Sequence, residues 1–422
     1  MDRSILHDRG YINKQIKEAS NLEAKGFSQV VIAGEDVGYI SWFLLSFLFF
    51  GKDIASLYYF YFFILTVSVV LFINTFKDKK PLSLIPITFL SAFFLAIDTH
   101  TSTITNPRAL PVLAILPIIF FYFARKYSIK KTSLIKRYTY IQAFILMLCA
   151  QARSSIIFGM GLLLFFLFLK DFIYAYKNQS KTRPNQKKIE ALKAIWKNTN
   201  LWIQKTFILS FFIMKLFSLL IYYGQAIFNH DVLNYTPHHT RWHAIIIGFP
   251  YSKEITEKYN LNNYPGGDSF GFKLADDWGY KHKGGQIFTK QYEATLRNAF
   301  FTILWENPTH VIKNYIVVKT KQVFIAYYEK FKEITEKNKF IMMIIFLFIS
   351  SISIFVKFPK KVLLKSIAML SILIPFSMFP SWVGFICIGG ARLDTSILIL
   401  ALAMFILIFI IQYLKQRFVV KE

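Results

Sequence analysis

IASLYYFYFFILTVSVVLFINTF, residues 54–76, runs without interruption into Lys77-Asp78-Lys79-Lys80. A helix rises about 1.5 Å per residue, so about 20 apolar residues cross the ~30 Å hydrocarbon core of a bilayer. The apolar residues here are continuous rather than alternating, which suits a helix and argues against the strands of a membrane barrel. Similar runs recur at 82–97, 110–124, 138–150, 154–176, 207–223, 340–356, 363–385 and 396–414. The expected fold class is therefore all-α: a polytopic helical membrane protein of about nine to ten spans. Composition agrees, since 55% of residues are hydrophobic and phenylalanine alone supplies 46. Soluble domains stay nearer 45–50% apolar.

The formal charge of +26 would suggest nucleic acid in a soluble chain. Here lysine and arginine gather in short loops beside apolar runs, which matches the positive-inside rule and anionic headgroups instead. The loop 177–205 holds eight basic residues against the single acid Glu190, so it is expected to be cytoplasmic. The loops 77–80, 126–137 and 357–365 and the tail 415–421 fall on the same side. Threading the spans then puts 98–108, the turn near 151–153, 225–338 and 389–394 on the other face. The two cysteines, Cys149 and Cys387, both sit in apolar surroundings and make neither a disulfide framework nor a zinc motif. The expected location is the bacterial inner membrane with a cytoplasmic C-terminus, with membrane lipids as partners and no nucleic acid.

Four regions follow from this threading. Residues 1–53 form an outer-loop-like segment with a juxtamembrane helix. Residues 54–224 form an N-terminal membrane bundle, 225–338 an outer-face region, and 339–422 the C-terminal membrane helices and basic tail. The apolar stretch 37–50 has only 14 residues, which suits a re-entrant or juxtamembrane helix as well as a span. Residues 1–36 are inside if it crosses and outside if it does not. Within 225–338, residues 291–306 read as an amphipathic helix ended by Asn307-Pro308. A second helix is expected over 310–328, with Val311, Tyr315, Val318 and Gln322 on one face. Both are expected to lie on the membrane surface or cap the bundle.

The outer region opens on HDVLNYTPHHTRWHAIIIGFPYSKEITEKYNLNNYPGGDSFGFKLADDWGYKHK, residues 230–283, which carries His230, His238, His239, His243 and His282. His239 and His243 stand four apart and would share a helix face, a weak signal for a divalent metal. A loop descending onto the membrane, with Trp242 at the interface, is the plainer reading. Tryptophan and tyrosine rings offer stacking platforms for sugars, and Asp276 and Asp277 offer acceptors for hydroxyls. Gly266-Gly267 and Gly284-Gly285 mark turns, since neither follows a strand and opens a helix.

The order of features resembles the GT-C superfamily, polytopic glycosyltransferases that use polyprenyl-phosphate-linked sugars, such as protein mannosyltransferases and aminoarabinose transferases. Four stretches carry the likeness: HDRGYINKQIKEASNLEAKGFS (7–28), GYISWFLLSFLFFGKDIASLYYFYFFILTVSVVLF (38–72), NPRALPVLAILP (106–117) and GGARLDTSILILALAMFILI (389–408). Each is a loose motif. The family carries a span before its acidic first outer loop, whereas seven residues precede Asp8 here, so the resemblance implies a chain lacking that span. The family's paired acids are also reduced to His7-Asp8-Arg9.

The resemblance implies transfer of a sugar from a polyprenyl-phosphate donor to a glycan, lipid or protein acceptor on the outer face, with inversion. Such chemistry needs a carboxylate to take the acceptor's proton and cations to hold the leaving phosphate. It places the carboxylate at Asp8 or Asp98. His100, Arg108, Arg153, His239, Arg241, Trp242, His243, Asp277 and Arg392 are the candidate substrate and phosphate contacts. Bland roles stand beside these: Asp8 as a solvated helix cap, Asp98 and Arg108 as interfacial anchors, and the histidine-rich stretch as an ordered loop. Two other functions fit the same layout. One is an inner-membrane glycan ligase or polymerase, relying on the histidines and arginines of 230–283. The other is a transporter or flippase for lipid-linked sugars, which would need more polar residues within the spans than Lys170, Asp171 and Lys215.

Overall fold

The computed structural model describes residues 37–97, 109–127, 133–152, 202–228, 233–235, 241–249, 253–259, 268–280, 289–355, 358–383 and 393–419, with scattered positions between 166 and 177. The described residues are almost all helical, and their one β-type pairing is an isolated bridge between Tyr235 and Thr289. An apolar bundle is built from α1 (Val37–Phe50), α2 (Ala55–Phe76), α3 (Lys80–Ile97), α4 (Pro111–Lys126), α5 (Ser133–Ala152) and α6 (Trp202–Phe228). Much later in the chain, α13 (Lys339–Phe355), α14 (Lys360–Val383) and α15 (Leu393–Val419) join the same bundle. Between the two sets lie α7 (Arg241–Ile246), α8 (Lys253–Lys258), α9 (Asp268–Asp277), α10 (Lys290–Glu306), α11 (Pro308–Lys313), a π-helical turn at Asn314–Val318, and α12 (Lys319–Lys337).

Among the described residues, three helices are long and apolar enough to cross a membrane: Ala55–Phe76, Lys360–Phe379 and Leu393–Arg417. Shorter apolar helices occupy Gly38–Phe50, Leu82–Ile97, Pro111–Arg125, Ile208–Gly224 and Lys339–Ser353. The run at 154–176 lies outside the described residues, apart from a few positions. Apolar side chains point outward as well as inward. Leu209, Phe212, Leu216, Leu220 and Ile227 of α6, and Phe340, Ile344, Leu347 and Phe348 of α13, are all exposed. Helices that are apolar all round need an apolar medium outside as well as a core inside.

One buried core joins residues from both ends of the chain, from Trp42, Tyr61 and Phe72 to Leu373, Leu398 and Phe405. Several polar side chains inside it are satisfied in pairs. Ser68 donates to the Gln142 side-chain oxygen at 2.9 Å while Gln142 returns a bond to the Ser68 carbonyl at 2.8 Å. Ser218 donates to Gln151 at 2.5 Å, tying α6 to α5. Gln412 of α15 bonds the Ser353 carbonyl and accepts from the Phe358 N–H, clamping the break between α13 and α14. In apolar surroundings an unmet polar group is costly, so these pairs also fix which helix faces meet.

The bundle has two distinct ends. At one, Lys79 and Lys365 lie over the Tyr127 ring at 4.3 and 5.2 Å, and Lys360 lies 5.9 Å from the centre of the Tyr413 ring. Among the described residues, Lys79, Lys360 and Lys365 therefore gather at one end. At the far end, Tyr61 donates to the Ala109 carbonyl at 3.1 Å and Asn338 to the Leu95 carbonyl at 2.9 Å.

A second, smaller core belongs to the intervening helices and forms a cap. It contains Ile246, Phe249, Ile255, Phe270, Leu274, Tyr292, Leu296, Ile303 and Val311. The cap meets the bundle at the far end. Trp382 donates to Thr320 at 3.0 Å, Val323 and Tyr327 pack on Met378, and Tyr222 donates to the Tyr235 carbonyl at 2.9 Å.

The expected amphipathic helices both form, with one correction. Val311 and Tyr315 face the cap core as expected, but Val318 and Gln322 do not continue that face. The π-turn inserts one extra residue, so the buried track moves on to Lys319, Val323, Tyr327, Lys330 and Ile334. The described cap residues leave several large apolar side chains exposed, among them Trp305, Phe324 and Tyr328.

Gly38 tests the bundle packing. A Cβ there would overlap the Gln151 backbone of α5. Gly38→Ala must push α1 away and is expected to cost about 1–3 kcal/mol, as overpacking does. Thermal unfolding of the detergent-extracted protein measures it.

Candidate functional site

The short helix α7 carries three of the expected contacts, and Glu293 of α10 holds its start. Glu293 is buried and accepts the Arg241 and Trp242 N–H groups through Oε2 at 2.8 and 2.9 Å, and the His243 N–H through Oε1 at 3.1 Å. One carboxylate thus meets three otherwise orphaned helix donors and sits where the helix dipole favours negative charge.

This grip turns the His243 ring inward. Its Nδ1 lies 2.6 Å from the Tyr292 hydroxyl, and its Nε2 lies 3.0 Å from Asp268 Oδ1. Burial, reinforced by the nearby Glu293 and Asp268, pushes the Tyr292 phenol well above its ordinary value. Tyr292 therefore keeps its proton and can donate to Nδ1, leaving Nε2–H to donate to the carboxylate. The ring also stacks on Phe272 at 5.3 Å. Gly271 permits this closeness, because a Cβ there would stand 2.6 Å from Nδ1. The Asp268–His243–Tyr292 chain thereby fastens α9, α7 and α10 to one another.

His243 is buried and both ring nitrogens are engaged, so it serves the cap's interior. Trp242 is half-buried, its ring 5.5 and 5.3 Å from those of Phe300 and Phe301. Arg241 is fixed through its backbone and its side chain is exposed. Asp277 accepts from Lys273 one turn earlier at 2.9 Å, a surface pair. Asp8, Asp98, His100, Arg108, Arg153, His239 and Arg392 lie outside the described residues. Among the described residues, no group of three or more histidine, cysteine, aspartate or glutamate side chains comes together to hold a metal.

Three features escape the sequence reading. Glu293 reads as an ordinary acid in an amphipathic helix, since its partners are some 50 residues away. Lys319 is turned inward by the π-turn and is fully buried, its ammonium 5.9 Å from the centre of the Tyr315 ring. Burial pulls that ammonium down to about 7. The third is Asp394, buried at the start of α15 at the bundle's far end. Its signal was visible as an acid opening the last apolar run.

No family model, curated protein or solved structure matches the chain.

Two outcomes follow from the geometry. Glu293→Ala strips three buried N–H groups of their acceptor, an expected loss of about 1–3 kcal/mol visible as a lower unfolding midpoint. Lys319 gives a pH dependence. Its folded value lies below its ordinary value of 10.5, so between about pH 7 and that value the unfolded chain binds more protons. Stability is expected to rise with pH across that window, and Lys319→Met to flatten the rise. Unfolding midpoints taken from about pH 7 to 9.5 decide it.

Proposed function

We propose that the chain is a polytopic inner-membrane glycosyltransferase of GT-C type, with about nine to ten spans. It moves a sugar from a polyprenyl-phosphate carrier to an outer-face glycan, lipid or protein acceptor. The observation that carries this reading is the cap. A helical module with its own core sits at the end of an apolar bundle opposite the end where Lys79, Lys360 and Lys365 collect. By the positive-inside rule the lysine end is cytoplasmic and the cap faces outward, with the basic C-terminal tail inside. A cap over the outer ends of membrane helices suits a substrate whose lipid lies in the bilayer and whose sugar lies at its surface.

The reaction joins the acceptor oxygen to the sugar's anomeric carbon as the bond from that carbon to the phosphate oxygen breaks. The electron pair leaves with the polyprenyl phosphate, and an outer-face carboxylate takes the acceptor's proton. Attack opposite the leaving phosphate inverts the anomeric configuration. On the resemblance, Asp8 and Asp98 are the sequence's candidates for the carboxylate. Arg108, Arg153 and Arg241 are its candidates for holding the phosphate, whose charge grows as it departs.

The test uses the full chain in right-side-out membrane vesicles with polyprenyl-phosphate-linked glucose, mannose and aminoarabinose, each labelled in the sugar. The expected outcome is release of polyprenyl phosphate matched by a new glycoside of inverted configuration. Movement of a labelled carrier across the bilayer with no covalent transfer would establish a transporter and end the enzyme reading.

A further inference from the structure

Asp394 is the second residue of α15 and is 1% exposed. Its Oδ1 accepts the Thr395 backbone N–H at 2.8 Å, while its Oδ2 has no hydrogen-bond partner among the described residues. The neighbouring Thr395 hydroxyl is already paired with Ser377 of α14 at 2.7 Å. Tyr61 of α2 lies close enough to interact electrostatically with the carboxylate, and the Tyr61 hydroxyl is spent on the Ala109 carbonyl. Ala109 directly follows Arg108, and Arg392 stands two residues before Asp394. The far-end termini of α2, α4, α14 and α15 thus converge on one buried carboxylate with an oxygen to spare.

Stability alone gives no reason to keep that oxygen. Buried polar atoms are almost always bonded, as in Ser68–Gln142 and Ser218–Gln151. The bundle's other exceptions among the described residues, Ser41, Tyr127 and Ser396, are neutral hydroxyls, and Asp394 is the one carboxylate among them. Threonine, serine or asparagine could cap the first turn of α15 without burying a charge. A buried acid with a free acceptor atom is the arrangement a proton-accepting catalyst needs.

We infer that Asp394 is the base of the transfer, with Oδ2 taking the acceptor hydroxyl's proton as the acceptor oxygen bonds to the anomeric carbon. This rests on the glycosyltransferase reading and gives the proton to a bundle residue rather than to Asp8 or Asp98. The sugar's former bond to phosphate supplies the electron pair carried off by the polyprenyl phosphate, and the proton on Asp394 returns to water between turnovers.

Asparagine at 394 keeps the shape and the cap to Thr395 N–H but removes the base. In the vesicle assay, full-length Asp394→Asn is expected to lose about 10²–10⁴-fold in kcat with KM little changed, the range for removing a positioned base. Its unfolding midpoint and yield should match the parent protein. Asp394→Glu keeps a carboxylate at a shifted position and should retain more activity than the asparagine variant. Should Asp394→Asn lower the midpoint, the ranking of Asp394→Glu above Asp394→Ser, both compared per folded molecule, carries the test instead. Asp8→Asn and Asp98→Asn are assayed alongside. Activity of Asp394→Asn within about twofold of the parent, or loss confined to Asp8→Asn or Asp98→Asn, overturns this assignment and leaves the transferase reading intact. A parent protein that transfers no sugar overturns both.

Discussion

The π-turn at Asn314–Val318 lets one helical run serve two cores. Before it, Val311 and Tyr315 pack into the cap, and Tyr315 donates to the Ile245 carbonyl at 2.9 Å. After it, Val323 and Tyr327 pack on Met378 of the bundle, and Ile334 enters the bundle core itself. In an uninterrupted α-helix the residues following Val311 and Tyr315 on that face would be Val318 and Gln322. Those are a partly covered and an exposed position here. One inserted residue brings Lys319 and Val323 to the face instead. Asn314 helps hold the turn, donating to the Gly248 carbonyl at 3.3 Å. The seating of the cap over the bundle therefore depends on a local change of helical pitch.

That seating has an energetic cost at Lys319. Bringing the extended track inward buries an ammonium, and its depressed proton affinity records the desolvation. A second buried lysine on the same track, Lys330, reaches Glu333 at 2.8 Å. The cap itself spends its acids on structure. Glu293 satisfies the start of α7, and Asp268 completes the bonds of His243. Carboxylates thus do opposite work in the two cores. In the cap they meet donors across helices, whereas at the bundle's far end Asp394 is bonded locally, Oδ1 accepting the Thr395 N–H while Oδ2 has no hydrogen-bond partner among the described residues.

The long elements were legible in the sequence because their signal is local. An apolar run such as 54–76 states its own length, and the structure puts a helix on Ala55–Phe76. Asn307-Pro308 ends one helix and begins the next, as the lost N–H of proline requires. The candidate site was less legible because its contacts are not local. Histidine density drew attention to 230–283, but what His243 does depends on Tyr292, Glu293 and Gly271, which no spacing rule links to it. Similarly, Lys319 looks like any lysine of an amphipathic helix until the pitch change is known. Of the acids, Asp394 carried the least sequence pattern, a single charge at the head of a long apolar run.

Burial separates the roles of these groups more sharply than residue type does. His243 has the chemistry of a catalyst, yet its two nitrogens are already bonded, and using either would loosen three helices at once. Arg241 is the reverse case: its backbone is fixed by Glu293 while its side chain stays exposed. Asp394 combines both conditions, a fixed backbone and an acceptor oxygen not taken up by the fold. A transfer at a membrane surface needs a held cation for the phosphate and a spare acceptor for the proton. On the proposed transfer, Arg241 of the cap would offer the first and Asp394 of the bundle the second, and the π-turn sets how cap and bundle meet.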